Sequence, residues 1–238
     1  RNFADLGALH TVCDANPALL DQIAASYPGI QTTTDYREVL VNEHVRGIVI
    51  ASPAALHYSM AREALLAGKD VFVEKPLATS VEQLQAIQDF YSSPDNDGTK
   101  PVLMVGFNRR FSAYAREIKR NVSQRVSPLV MNYRMNAGFA PSESWLHEDG
   151  GRIIEEACHT IDLLTFLANS EVEDFACASL DPKNCKFSSS DNKSIVLKYA
   201  DGSIGTIEYF SVGSRELPKE YMEVHWDEKS ILLDDFID

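Results

Sequence analysis

Gly47-Ile-Val-Ile-Ala-Ser52 is an unbroken apolar run stopped by Pro53, and Asp70-Val-Phe-Val-Glu74 repeats the form with Lys75-Pro76 behind it. A run without polar alternation predicts a strand buried on both faces, as in a parallel sheet. Between the two, Leu56, Met60, Ala64 and Ala67 recur at helical spacing and end at Gly68. The segment therefore reads strand, helix, strand.

The same grammar extends both ways. Upstream, Leu9-His-Thr-Val-Cys-Asp14 reads as a strand closed by an acid. Pro17 opens a helix where its missing N–H costs nothing, and Leu19, Leu20, Ile23, Ala24 and Tyr27 stripe that helix before Pro28-Gly29 stops it. Downstream, Ser80-Val-Glu-Gln83 is a capping box for a helix striped by Val81, Leu84, Ile87 and Tyr91, and Pro101-Val-Leu-Met-Val-Gly-Phe107 supplies one more strand. Strands alternating with helices of roughly 10 to 15 residues imply right-handed crossovers and an open parallel sheet.

After about residue 125 the pattern changes. Leu129, Met131, Tyr133 and Met135 alternate with Val130, Asn132, Arg134 and Asn136, the period of a half-buried strand. One helix, Arg152 to Leu167, is followed by strand-like runs at Phe175 to Leu180, Ser194 to Tyr199, Ile204 to Phe210, Tyr221 to Trp226 and Ile231 to Leu233. Ala200-Asp-Gly-Ser203 between two of them is an Asp-Gly hairpin turn. The expectation is an α/β domain over 1–122 and an α+β domain with a largely antiparallel sheet over 123–238.

Composition narrows the function. The 238 residues suit one large domain or two small ones, and 45% apolar with 24% charged is globular. Lys and Arg number 22 against 35 Asp and Glu, a net charge of −13 that repels phosphate backbones and anionic lipid. Nucleic acid and membrane are not expected partners. No apolar run approaches the ~20 residues that span a bilayer. Cys13, Cys158, Cys177 and Cys185 stand singly, as reduced thiols do in a cytoplasm. The sequons at Asn121 and Asn192 follow no signal peptide and read as chance matches.

Three groups of residues carry chemistry. Asp14 closes the first strand, where an acid either binds the adenine-side ribose of a dinucleotide or merely ends a strand. Ala15-Asn16 behind it offers no Arg for a 2′-phosphate, which favours NAD over NADP. Glu74-Lys75-Pro76 brings an acid and an amine to the carboxyl end of an apolar strand, as a reactive pair or as a solvated ion pair. On the long helix, Glu155, His159 and Asp162 fall at about 0°, 40° and 340° of one arc at roughly 100° per residue. A histidine between carboxylates suits a general base, while a salt-bridged face is the plainer reading. A metal site is the weakest of the three, since one helix seldom gives three ligands to one ion.

Four segments in order resemble the Gfo/Idh/MocA family of NAD(P)-dependent oxidoreductases: Ile50-Ala-Ser-Pro-Ala-Ala-Leu-His57, Gly68-Lys-Asp-Val-Phe-Val-Glu-Lys-Pro76, Val105-Gly-Phe-Asn-Arg-Arg-Phe111, and Gly150-Gly-Arg-Ile-Ile-Glu-Glu-Ala-Cys-His-Thr-Ile-Asp162. The resemblance covers nearly the whole chain and implies a Rossmann domain followed by an open, largely antiparallel sheet domain. The family's first strand and phosphate-binding glycine turn are expected before residue 1, and the second domain to continue past Asp235.

By that resemblance Lys75 is the catalytic lysine and His159 the general base, with Glu155 where the family usually has Asp and Ala157 where it usually has Gly. Ala51, Ser52, Leu56, His57, Glu74 and Lys75 map to positions lining the dinucleotide, Asn108 to one near the nicotinamide, and Arg109 and Asp162 to the substrate side. The implied reaction moves a hydride between NAD and a secondary hydroxyl of a carbohydrate, cyclitol or nucleotide sugar, in a cytoplasmic homo-oligomer. An NAD-dependent glycosidase and a non-catalytic ligand-binding relative are the alternatives.

Overall fold

Residues 1–93, 100–141, 151–183 and 186–237 are described in a computed structural model, and the chain divides into two units, Arg1–Gly106 and Phe107–Asp238. Gly150 and Cys185 lie outside the described residues.

The first unit runs Asn2–Asp5 (α1), Thr11–Cys13 (β1), Pro17–Ser26 (α2), Gln31–Thr33 (β2), Tyr36–Leu40 (α3), Gly47–Ile50 (β3), Ala54–Leu66 (α4), Asp70–Val73 (β4), Val81–Ser92 (α5) and Leu103–Val105 (β5). Its strands pair only in parallel, but as two sheets, β1-β2 and β3-β4-β5. Strand β2 is the polar triplet Gln-Thr-Thr, which no hydrophobic run announces. The helix starts follow the sequence rules: the Asn16 side chain accepts from Ala18 N–H beside Pro17, and Ser80 accepts from Gln83 N–H. Gln83 returns its side chain to Thr79 N–H, one residue before the position a capping box expects.

Two expectations for this unit change. Helix α4 buries His57, Ala61, Ala64 and Leu65 while Leu56 is exposed, so one histidine lies in the stripe that faces inward. In the three-stranded sheet, Ile50 and Val73 join the core with Val105 against them, whereas Val49, Phe72 and Met104 line up on the other face. Val49 is 47% exposed and Met104 40%, so the two-sided burial expected of β3 is one-sided.

The second unit opens with a 3₁₀ turn, Asn108–Phe111, then Ala113–Val122 (α6), Val130–Asn136 (β6), a π-helical turn at Ile153–Ala157 running into Cys158–Ala168 (α7), Val172–Ser179 (β7), Lys193–Tyr199 (β8), Ile204–Phe210 (β9), Glu220–Trp226 (β10) and Lys229–Asp234 (β11). One six-stranded sheet has the order β11-β10-β6-β9-β8-β7, antiparallel throughout except for the parallel pair β6-β9. Met131, Tyr133 and Met135 alternate inward as read, joined by Leu197, Tyr199, Ile207, Tyr209, Met222 and Val224. Helices α6 and α7 close this core with Ala115, Ile118, Leu163, Leu164 and Leu167. Helix α6 thus packs within the second unit, although the change of strand pattern that suggests a boundary follows it.

The helix expected over Arg152 to Leu167 is not uniform, because its first turn bonds i to i+5. More than four residues then occupy one turn, so Glu155 stays on the side of His159 but not at the angle a uniform α-helix gives. The β8-β9 hairpin turns through Gly202 at φ +87°, as Asp-Gly predicts. The β10-β11 hairpin instead turns on Asp227 (φ +43°) and Glu228 (φ +60°), a two-residue loop with no glycine.

Candidate functional site

In the first unit the carboxyl ends of β3 and β4 are joined by one side chain. His57, 2% exposed on the first turn of α4, has Nδ1 2.8 Å from the Pro76 carbonyl and Nε2 2.7 Å from the Ser52 carbonyl. Both ring nitrogens are engaged with backbone, so His57 fixes the loop after β3 against the turn that carries Lys75. Beside it, Glu74 N–H donates to Ile50 O at 2.9 Å, and the Glu74 carboxylate lies over Gly106. A Cβ at Gly106 would sit 3.1 Å from Glu74 Oε2, so the acid lies close against this strand end. Ala51 and Leu56 are exposed on the same rim. The Ser52 Oγ is buried with no hydrogen-bond partner among the described residues, a donor left for a ligand beyond the strand ends. Asp14, after β1, accepts from Asn16 N–H at 2.8 Å.

The second unit gathers the other expected residues at the start of α7 and the 3₁₀ turn. His159 is half-buried, its ring edge-on to Phe107 with centroids 6.2 Å apart. Glu155, in the π turn, is buried, and Asn108 is exposed. Asp162 is held by Arg110, whose Nε donates to Oδ2 at 2.6 Å while Nη2 donates to Oδ1, and the same guanidinium lies over Phe166. This bidentate pair ties the 3₁₀ turn to α7. Arg109, next along, donates to Glu220 Oε1 at 2.5 Å, and Glu220 also accepts from the Tyr133 hydroxyl. Burial and then the neighbouring Glu220 carboxylate push the Tyr133 phenol up, so it serves as a donor. Arg109 and Asp162, expected on the substrate side, are thus each engaged by an opposite charge within the unit.

Asn132, Arg134 and Asn136 divide. Asn132 accepts from Thr206 at 2.6 Å on the outer sheet face, Arg134 lies over Tyr221, and Asn136 is buried and donates to Ser214 O.

Sequence reasoning passed over a second acid here, Glu156, next to Glu155 in the π turn. Glu156 accepts from Arg152, Tyr209 and Lys219. Burial works against its charge, but the hydrogen bonds from Tyr209 and Arg152 and the charges of Arg152 and Lys219 outweigh burial and hold the carboxyl below its usual range. Its signal was present as Arg152 and Glu156 four residues apart. Among the described residues no three His, Cys, Asp or Glu gather as a metal site, and no helix is long and apolar enough to cross a membrane.

Two family models match in order: "Oxidoreductase family, NAD-binding Rossmann fold" over residues 1–96, and "Oxidoreductase family, C-terminal alpha/beta domain" over 123–235. An inositol 2-dehydrogenase of Rhizobium meliloti is 28% identical over 82% of this chain and 58% of its own length. A scyllo-inositol 2-dehydrogenase (NAD(+)) of Bacillus subtilis is 27% identical over 68% of this chain and 47% of its own. The chain therefore spans about half to three fifths of these relatives. In fold it superposes on myo-inositol dehydrogenase of Lactobacillus casei, solved with NAD(H) and myo-inositol, with a TM-score of 0.76 at 19% identity, covering 94% of this chain and 65% of that one. With both domain models matched in order and a Rossmann-like parallel unit followed by a mostly antiparallel sheet, the chain belongs to the Gfo/Idh/MocA oxidoreductase family.

Proposed function

We propose that this chain is the cofactor- and substrate-binding part of an NAD-dependent oxidoreductase acting on a secondary hydroxyl of a cyclitol or a related carbohydrate, nucleotide sugars included. The observation that carries the reading is the match of both family models in order, with Lys75 kept at a strand end and His159 at a helix start. The inositol dehydrogenases among the relatives support a cyclitol as substrate class.

Bound NAD would supply the hydride acceptor for the carbinol carbon. Lys75 polarises the alcohol oxygen and His159 accepts its proton, because the carbon can release hydride only as the oxygen gives up positive charge. Glu155 and the Arg110-held Asp162 flank the base on its helix. Asp14 with no neighbouring Arg selects the ribose diol of NAD, and the loops after β3 and β4 line the dinucleotide through Ala51, Ser52, Leu56, Glu74 and Lys75, with Asn108 nearer the nicotinamide and Arg109 on the substrate side. His57 contributes by holding two of these loops together.

The protein works in the cytoplasm as a homo-oligomer, independent of nucleic acid and membrane. Val130, Val196, Ile204 and Leu232, exposed on the outer face of the six-stranded sheet, support pairing there. The test is a panel of inositols, sugars and nucleotide sugars with NAD on the full-length protein, read as NADH absorbance. Turnover with a polyol is expected, and Lys75→Met and His159→Ala should each lower it by on the order of a hundredfold. Glycosidic cleavage without net NADH would replace this reading with the glycosidase.

A further inference from the structure

We propose that Arg152, Glu156 and Tyr209 form a positioning device for His159, a lock on the π turn that sets the rotational phase of the helix start carrying the base. The proposal rests on the reading of His159 given above. Gly151 turns the chain at φ +78° and Arg152 follows, only 2% exposed. A guanidinium so deep persists only where its donors are met. Nη1 donates to Gly138 O at 2.7 Å and Nη2 to Ala137 O at 3.0 Å, while Nε and Nη2 both reach Glu156 Oε2, at 2.9 and 2.7 Å. Ala137 is itself fixed to the end of β9, since its N–H donates to Phe210 O at 2.8 Å.

The Glu156 oxygen that receives Arg152 also accepts from the Tyr209 hydroxyl on β9 at 2.6 Å. Lys219, just before β10, reaches the other oxygen at 3.1 Å. The acid is therefore tied to β9 and to the entry of β10, the strands on either side of β6, and the arginine to the segment that follows β6.

A π turn holds one residue more than an α turn, and such turns concentrate at functional sites. Here the holding groups stand at its two ends, with Arg152 just before its first residue and Glu156 its fourth. His159 is the second residue of α7, three beyond Glu156. If the turn relaxed to α geometry, Glu155 would rotate against His159 by a fraction of one residue step. A buried network of this kind therefore does more than stabilise. It sets the angle at which Glu155 meets the base.

Two variants of the full-length protein separate positioning from mere stability. Tyr209→Phe removes one hydroxyl from the lock, and Glu156→Gln keeps its shape but loses the charge. With myo-inositol and NAD, kcat should fall ~10-fold or more in both while the KM for NAD stays within about twofold. The ring signals of His159 in NMR should move, and amide exchange over 153–159 should accelerate. A lower unfolding temperature with kcat and the His159 ring signals unchanged would make the network purely structural and overturn the proposal. Should the unmodified protein turn over no polyol, the functional reading fails by itself. The ring signals and amide exchange then still decide the lock, and their constancy in both variants would overturn it.

Discussion

The two sheets make opposite use of their apolar residues. In β3-β4-β5 the strands are continuous apolar runs, yet the row Val49, Phe72 and Met104 is left on a face where Val49 and Met104 are well exposed. In the six-stranded sheet, apolar and polar residues alternate, and Met131, Tyr133, Ile207, Tyr209, Met222 and Val224 are all at most 2% exposed. A continuous run announces the capacity for two-sided burial, whereas alternation announces which side is covered. Only the second is a statement about the molecule as it stands.

The largest effect that sharpens this contrast is a truncation in the covered core. Leu164 is fully buried, and a Cβ at Gly205 would come within 3.1 Å of its Cδ1, so the leucine fills the space that the glycine of β9 leaves. Leu164→Ala should cost about 3 to 5 kcal/mol in denaturant unfolding. Val49→Ala, at a half-exposed position of an equally apolar strand, should cost under about 1 kcal/mol. Equal losses would break the comparison.

Next is His57, the polar residue in the inward stripe of α4. His57→Phe keeps the ring and abandons two carbonyls, which should cost roughly 1 to 3 kcal/mol. Calorimetry should show the loss, and NAD affinity of the full-length protein should weaken with it as the loops after β3 and β4 separate. Unchanged stability would mean that water replaces the ring at both carbonyls.

A smaller, pH-dependent effect belongs to Glu156. Its carboxyl is lowered from the ordinary 4.5, so the charged form is bound more tightly in the folded state than in the unfolded. The stability it contributes is complete above the ordinary value and is lost as pH falls through the depressed one. Unfolding midpoints followed from pH 7 downward should therefore drop below about pH 4.5, and less steeply in Tyr209→Phe, which removes one of the bonds responsible. An identical acid slope in the two proteins would assign the transition to other carboxylates.

How much of this could be read in advance depended on the range of the interaction. The caps at Asn16 and Ser80 and the Gly202 turn are local, and each stands where its residues announce it. The alternation of β6 survived because one face of that strand meets helices. What escaped was set at a distance. The phase of α4 and the π turn depend on what each helix packs against, and Glu220 finds Arg109 and Tyr133 from far along the chain. Glu155 and Glu156 are adjacent and chemically alike, and helical spacing beside His159 singles out only the first, while the Glu156 partners Tyr209 and Lys219 lie more than 50 residues away. Arg110 and Arg109 find their partners Asp162 and Glu220 at 52 and 111 residues' distance, which no local spacing announces.

The smallest effect tests the turn that glycine did not mark. Asp227 and Glu228 both hold positive φ between β10 and β11, which a side chain tolerates at roughly 1 to 2 kcal/mol per residue. Asp227 has a reason to be there, because its carboxylate accepts from Val126 N–H and Ser127 N–H at 2.9 Å each and so staples the turn to the entry of β6. Those bonds also hold its carboxyl below the usual range. Among the described residues the Glu228 side chain makes no such bond and carries only the strain. Glycine there removes the strain but loosens the unfolded chain, so the net gain from Glu228→Gly should be about 0.5 to 1 kcal/mol. Asp227→Gly, which relieves the same strain but surrenders the staple, should instead destabilise. A gain in both would show that the staple contributes nothing, and a loss in both that side chains rather than backbone strain govern this hairpin.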